Sequence, residues 1–313
     1  MSALLFPGQG SQVVGMGLEL YKNFKIVKKI FSEADQKLNF SLSKIILEGP
    51  EDELKLTKYT QPAILTVSYS IFKVMKEEFD IDFKNFKYFS GHSLGEYSAL
   101  VCSESLIFED AIYLVYERGK AMQNAVPVGK GSMIAILGSK INEINKFFID
   151  NKSENSVCEI ANDNADGQVI VSGDQERISL LQNELRENKI KSIPLKVSAP
   201  FHCSLMKPAA MIMKNKIDET IFKTPKFEIV SNVNALPENN PSEIKKLLYK
   251  QIFSTVRWRE SLINMSKNGI TNFVEIGPGK VLSGMVKRTL KGVNCFSINS
   301  IADIKTFINE LKK

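Results

Sequence analysis

The sequence predicts an α/β fold, a mostly parallel sheet with helices on both faces, interrupted by a small inserted domain. Short apolar runs alternate with longer amphipathic stretches up to residue 126 and again after residue 198, the pattern of strands covered by helices. Between these blocks the order becomes β-α-β-β-α-β, the ferredoxin-like order.

Taken in order, SALLF (2–6) reads as a buried strand running into the loop PGQGSQ (7–12). Residues 60–79, TQPAILTVSYSIFKVMKEEF, read as a helix with Thr60 as N-cap and Pro62 in the first turn. KYFSG (87–91) is the next strand, and a helix follows from Leu94. FEDAIYLVYERGKAMQNAV (108–126) is a longer amphipathic helix. In the insert, SMIAILG (132–138) is a strand, INEINKFFIDN (141–151) a helix, and VCEIAN (157–162) and GQVIVSG (167–173) two strands. DQERISLLQNELREN (174–188) is a helix and IKSIPLK (190–196) the last strand. Beyond it FEIVSN (227–232), TNFVEIG (271–277) and VNCFSIN (293–299) are strands between helical stretches. The chain thus divides into a large domain, 1–128 and 198–313, and an insert, 129–197.

At 313 residues, 43% hydrophobic and 24% charged, the chain has the composition of a globular protein with a sizeable core. Its N-terminus, MSALLFPGQG, lacks the basic region of a signal peptide, and no apolar run reaches the length of a membrane span. The four cysteines are scattered without a C-x-x-C pair, which fits a reducing compartment and argues against a disulfide framework or a metal site. The expected location is the cytoplasm, or the reducing lumen of an organelle. The net charge of +6 comes from basic residues spread along the chain. That favours modest attraction to acidic partners over a nucleic-acid footprint.

The stretch KYFSGHSLGEYSAL (87–100) contains Gly91-His92-Ser93-Leu94-Gly95, a G-x-S-x-G pattern between strand and helix. This spacing marks a nucleophilic serine on a sharp turn, with the Leu94 amide able to donate to an oxyanion. Ser93-x-x-Glu96 also fits a capping box, so a helix N-cap is the competing reading. The serine needs a base, and the chain has two histidines. His92 adjoins Ser93, and neighbouring side chains diverge. His202, in VSAPFHCSLMKPAA (197–210), follows a strand and opens a helix. Sites on α/β sheets gather at such strand ends, and a helix N-terminus keeps an imidazole neutral. His202 is therefore the candidate base, with a structural histidine as its competitor. No acid adjoins it in sequence, so a distant carboxylate or a backbone carbonyl is left to orient the ring. The GQG and GPGK loops do not match the phosphate-binding P-loop pattern.

Six segments occur in order: FPGQGSQ, GHSLGEYSAL, RGKAMQ, ANDNADGQVIVSG, SAPFHCSLMKPAA and EIGPGKVLSGMVKR. On them, and over essentially its whole length, the chain resembles the malonyl-CoA:acyl carrier protein transacylases of type II fatty acid synthesis. The resemblance implies an α/β-hydrolase-like large subdomain and a ferredoxin-like small one. It implies Ser93 as the acylated nucleophile, His202 as its base, and the amides of Gln9 and Leu94 as an oxyanion hole. A backbone carbonyl near Gln251, in YKQIFSTVRW, would orient His202. Arg118, on its own a solvated helix-face arginine, would hold the free malonyl carboxylate, a task that suits a guanidinium fork. Asn162, Met122 and Phe201 would line the substrate pocket, the aromatic ring excluding a 2-methyl branch. The partners implied are malonyl-CoA and acyl carrier protein, with no metal or redox cofactor, no nucleic acid and no membrane, on a monomer. A serine esterase or thioesterase would share the elbow, but a hydrolase of neutral esters gains nothing from a buried cation at Arg118. A non-catalytic protein binding carrier or CoA would not need both Ser93 and His202.

Overall fold

Ten strands are present among the residues described by this computed structural model, namely 1–149, 156–197 and 199–311. In chain order they are β1 (Ser2–Phe6), β2 (Phe86–Gly91), β3 (Gly131–Leu137), β4 (Cys158–Ala165) and β5 (Gln168–Asp174). Then come β6 (Lys191–Pro194), β7 (Glu228–Val230), β8 (Pro237–Glu238), β9 (Asn272–Ile276) and β10 (Asn294–Ile298). A six-stranded sheet has the order β10-β9-β1-β2-β7-β8, and a four-stranded sheet the order β4-β5-β3-β6. In the larger sheet every pair is parallel except β7 with β8. In the smaller sheet every pair is antiparallel. The fold is therefore mixed α/β, with a mostly parallel sheet and a separate antiparallel one.

β1 shows why its sequence is an unbroken apolar run. It is paired on both edges and buried along its full length. Leu4 and Phe6 face the main core while Ala3 and Leu5 face a second apolar cluster with Trp258 and Phe273. A parallel strand covered on both faces has no polar side to offer. The smaller sheet is also covered twice. Ile134, Ile136, Val169 and Val171 pack on Ile144, Ile178 and Leu181, while Met133, Ala135 and Ile170 join the main core. The smaller sheet thus shares the main core with the larger one.

Most element boundaries follow the sequence. The helix predicted over 60–79 runs from Thr57 to Glu77 instead. Thr60 is not its cap, because its buried hydroxyl donates to the carbonyls of Leu54 at 2.6 Å and Leu56 at 3.1 Å. The strand predicted over 157–162 continues to Ala165, where Asp166 and Gly167 close a two-residue hairpin into β5. Gly167 has φ 74°, a left-handed conformation that glycine enters without strain. The end of the helix predicted over 141–151, residues 150 and 151, and Ser198 at the predicted domain boundary lie outside the described residues. Four helices between Leu18 and Leu54 were not predicted. Among the described residues no helix is long and apolar enough to cross a membrane.

The adjacent strands β1 and β2 end side by side, with Phe6 opposite Gly91. The loop after β1 and the turn after β2 are thereby brought to one sheet edge, with the His92 amide donating to the Phe6 carbonyl at 3.0 Å. Two glycines permit this approach. A Cβ on Gly91 would stand 1.9 Å from the Gly95 carbonyl oxygen, and one on Gly95 would stand 2.2 Å from that of Phe6. Gly91→Ala should therefore lower the unfolding midpoint sharply, the free-energy cost being at least the roughly 1–3 kcal/mol typical of overpacking. Gly284→Ala, where an added Cβ meets nothing within 4 Å in the helix Val281–Thr289, should be neutral or stabilising. Thermal unfolding of the two variants checks this, and equal midpoints would show that the turn tolerates a side chain.

Candidate active site

Ser93 has φ 53°. A non-glycine residue enters this region at a cost and stays only where its surroundings hold it. Here the Gly95 amide donates to the His92 carbonyl at 2.9 Å and the Ser93 amide donates to Asn232 Oδ1 at 2.7 Å. The helix Gly95–Cys102 begins directly after the turn. The capping-box alternative does not form: the Glu96 carboxylate accepts from the Asn232 amide at 3.1 Å and from Gln251 Nε2 at 2.8 Å. The serine hydroxyl is thus left for another partner.

That partner is His202, whose Nε2 lies 2.8 Å from Ser93 Oγ. The other ring nitrogen, Nδ1, lies 2.9 Å from the Gln251 carbonyl oxygen. A carbonyl only accepts, so Nδ1 carries the proton and Nε2 of the neutral ring accepts from the serine. Gln251 ends the helix Pro241–Gln251, and the last carbonyls of a helix have no partner within it. A helix C-terminus also carries partial negative charge, so this carbonyl serves where an acid is absent from the sequence. His202 does not open a helix as the sequence suggested. It stands in a turn at φ 58°, before the 3₁₀ turn Ser204–Met206 and the helix Lys207–Glu219. Its pKa is held down to about 3, first by burial and then by the positive charge of Arg118.

Arg118 is not a solvated helix-face residue. It projects from the helix Phe108–Asn124 and is only 1% exposed. Nη1 donates to Gln61 Oε1 at 2.8 Å; Nη2 donates to Gln251 Oε1 at 2.8 Å and to Ser93 Oγ at 3.0 Å. The guanidinium carbon also lies 5.8 Å from the centre of the Tyr97 ring. Burial lowers the Arg118 pKa and pushes that of Glu96 up to about 7, while the nearby Arg118 charge opposes the Glu96 shift.

These groups open on a cavity of about 330 Å³ lined by Gln9, Leu94, Arg118, Met122, Asn162 and Phe201, with Ser93 and His202. The residues selected from the sequence therefore converge, with Gln251 behind the wall. The helix Val281–Thr289 supplies an apolar side through Val281, Leu282 and Met285. Buried Glu275 caps it, accepting from the Leu282 amide at 3.0 Å and the Ser283 amide at 2.7 Å, which accounts for EIGPGK as a structural motif.

A family model described as acyl transferase domain matches residues 3–308. The malonyl CoA-acyl carrier protein transacylase of Bacillus subtilis is 42% identical, covering 99% of this chain and 97% of that protein. The protein of the same name from Haemophilus influenzae is 41% identical, with 96% of each covered. The chain belongs to the malonyl-CoA:acyl carrier protein transacylase family. Among solved structures of this family, the acyl-carrier-protein-S-malonyltransferase of Bartonella henselae superposes with a TM-score of 0.95 at 38% identity, covering 100% of this chain and 99% of that one. A malonyl-transacylase in complex with its type II PKS acyl-carrier protein gives 0.94 at 36% identity, with 99% of each covered.

Four participants were missed in the sequence: Gln61, Glu96, Asn232 and Asn164. Gln61 and Asn232 are buried polar side chains that hold Arg118 and the elbow, and Glu96 was read as half of a capping box. Asn164 lies 2.8 Å, through Oδ1, from His92 Nε2, which ties the turn to β4. Only the strand neighbours ANDNADG hinted at it.

Because His202 is neutral down to about pH 3, its titration should not limit the reaction between pH 5 and 8. For stability, the unfolded histidine binds a proton below about 6.5 and the folded one only near 3, so this contribution is present above 6.5 and lost as pH falls through that window. Rates of Ser93 acylation across pH 5–8 test the first point in wild type and in Glu96→Gln, which removes the group titrating near 7. A limb near pH 6.5 that persists in Glu96→Gln would show that His202 titrates at its ordinary value.

Proposed function

We propose that this chain transfers the malonyl group from malonyl-CoA to the phosphopantetheine thiol of acyl carrier protein, supplying extender units for fatty acid synthesis. The observation that carries this reading is the Arg118 guanidinium, buried in the cavity wall with Nη2 at 3.0 Å from Ser93 Oγ. A cation so close to the nucleophile suits an acyl group that carries its own carboxylate. The names of the relatives and of the carrier-bound neighbour point to the same substrates.

The reaction has two halves. In the first, His202 Nε2 takes the Ser93 proton as Oγ bonds to the thioester carbon, and the amides of Gln9 and Leu94 receive the oxyanion. By analogy with measured sites, one such donor contributes about 3 kcal/mol. The carbon–sulfur bond then breaks and CoA leaves with the proton from His202. In the second half the carrier thiol gives its proton to His202 and attacks the malonyl-serine, and Ser93 leaves and recovers a proton. Arg118 holds the malonyl carboxylate throughout with charge-assisted hydrogen bonds. Phe201 and Met122 bound the acyl pocket, Phe201 against a 2-methyl branch, and Asn162 lines the cleft.

The proposal extends to the architecture: residues 1–128 and 198–313 as an α/β-hydrolase-like subdomain and 129–197 as a ferredoxin-like one. The β4-β5-β3-β6 order, two helices and antiparallel pairing support the second assignment. The protein is taken to act as a cytoplasmic monomer without metal, redox cofactor or nucleic-acid partner, since serine, imidazole and fixed donors suffice for thioester exchange. Its charge of +6 favours an acidic carrier.

Intact mass spectrometry after mixing with malonyl-CoA should find one malonyl adduct, mapped to Ser93 and lost in Ser93→Ala. His202→Ala should slow its formation by orders of magnitude, and the double variant should be little worse than Ser93→Ala alone. A normal adduct on Ser93→Ala ends the reading. Arg118→Ala should lose malonyl transfer while keeping or gaining acetyl transfer, because a charged hydrogen bond contributes about 1.5–3 kcal/mol. An equal fall for both donors would make Arg118 a purely structural residue.

A further inference from the structure

Asn232 follows β7 by two residues and is fully buried. Its Oδ1 accepts from the Ser93 amide at 2.7 Å while its Nδ2 donates to the Gly91 carbonyl at 2.8 Å. In a parallel ladder, one residue's peptide groups bond the carbonyl before and the amide after the residue opposite. The Asn232 side-chain amide reproduces that rung around His92, at the point where β2 turns away from β7 and the backbone ladder stops. Its own backbone is used as well: the amide donates to Glu96 Oε2 at 3.1 Å and the carbonyl accepts from the Arg257 amide at 2.9 Å. Gln251 Nε2 also donates to its Oδ1 at 3.4 Å, so three of its five bonds converge on the turn that holds Ser93 at φ 53°.

We infer that Asn232 is a positioning residue: its side-chain amide adds one rung to the sheet beyond β7 and so pins the strained turn that aims Ser93 Oγ at His202. The inference rests on the acyl-serine reading above. Without the rung, the Ser93 amide and Gly91 carbonyl lose buried partners and the turn can relax toward ordinary backbone angles. Misplacement of a reacting atom by about 1 Å costs on the order of 10²-fold in rate.

Two variants test it. Asn232→Ala should fall about 10²-fold in the rate of Ser93 acylation, with KM for malonyl-CoA changed less than about threefold. A serine-directed sulfonyl fluoride, which needs no malonyl recognition, should label Ser93 correspondingly slowly. Asn232→Asp has the same shape. When protonated, the new carboxyl accepts from the Ser93 amide and donates to the Gly91 carbonyl; when ionised it cannot donate. Burial beside Glu96 favours its protonated form. Its rate relative to wild type should therefore rise as pH falls from 8 to 5.5. Of the facing groups, Arg118 through Gln251, His202, and Arg257 on the backbone side are common to both proteins. Glu96 on the elbow helix is coupled to the new carboxyl, so the ratio is measured in the Glu96→Gln background, where the rise should persist. If Asn232→Ala does not fold, the Asn232→Asp ratio decides. Wild-type labelling in Asn232→Ala, a loss confined to KM, or a pH-independent ratio for Asn232→Asp would overturn the inference. Absence of a malonyl adduct on the wild type would instead overturn the functional reading, while the sulfonyl fluoride still reports the elbow.

Discussion

The Arg118 guanidinium is buried beside the Ser93 hydroxyl with fixed acceptors on both Nη atoms in place of the water they have lost, and the rest of this site depends on how that is arranged. Gln251 is the centre of the arrangement. Its side-chain oxygen accepts from Arg118, its side-chain nitrogen donates to Glu96 Oε2 and to the Ser93 carbonyl at 3.0 Å, and its backbone carbonyl orients His202. One residue at a helix end thus joins Arg118, His202 and the elbow. A shift of that helix would disturb all three together.

The same arrangement governs charge. Arg118 and Glu96 face each other through a single amide, which each of them polarises in the same sense. Burial first and then the cation keep His202 neutral, so its Nε2 can accept a proton without a carboxylate behind the ring. A carboxylate behind His202 would raise the imidazole pKa against the influence of Arg118. The carbonyl of Gln251 orients the ring without adding a full negative charge beside Arg118.

Backbone strain is the second constraint. Both Ser93 and His202 occupy left-handed conformations, and they meet across 2.8 Å. Each is held by groups from elsewhere in the fold: Asn232 after β7 for the serine, and the helix end at Gln251 for the histidine. The parallel sheet makes this workable because β1, β2 and β7 deliver their following loops to one edge.

The parts legible in the sequence were those with a local signature. Short apolar runs marked the strands, the β-α-β-β-α-β order marked the separate antiparallel sheet, and G-x-S-x-G marked the turn at Ser93. The scarcity of histidine pointed to His202 as the partner of Ser93, and the family resemblance pointed to Arg118 and Gln251 beside them. What local signals misjudged was whatever depends on distant chain: Thr60 looks like a cap but is buried against the preceding turn, and Ser93-x-x-Glu96 looks like a capping box but Glu96 bonds residues 136 and 155 positions away. Asn232 carries no motif meaning at all until β7 sets it beside the elbow. Sequence by itself determined which groups could do chemistry, because side-chain type and local spacing are written there. Tertiary structure alone decided which of them were buried, charged and aimed, because desolvation and hydrogen-bond geometry arise only when segments far apart in the chain are brought into contact.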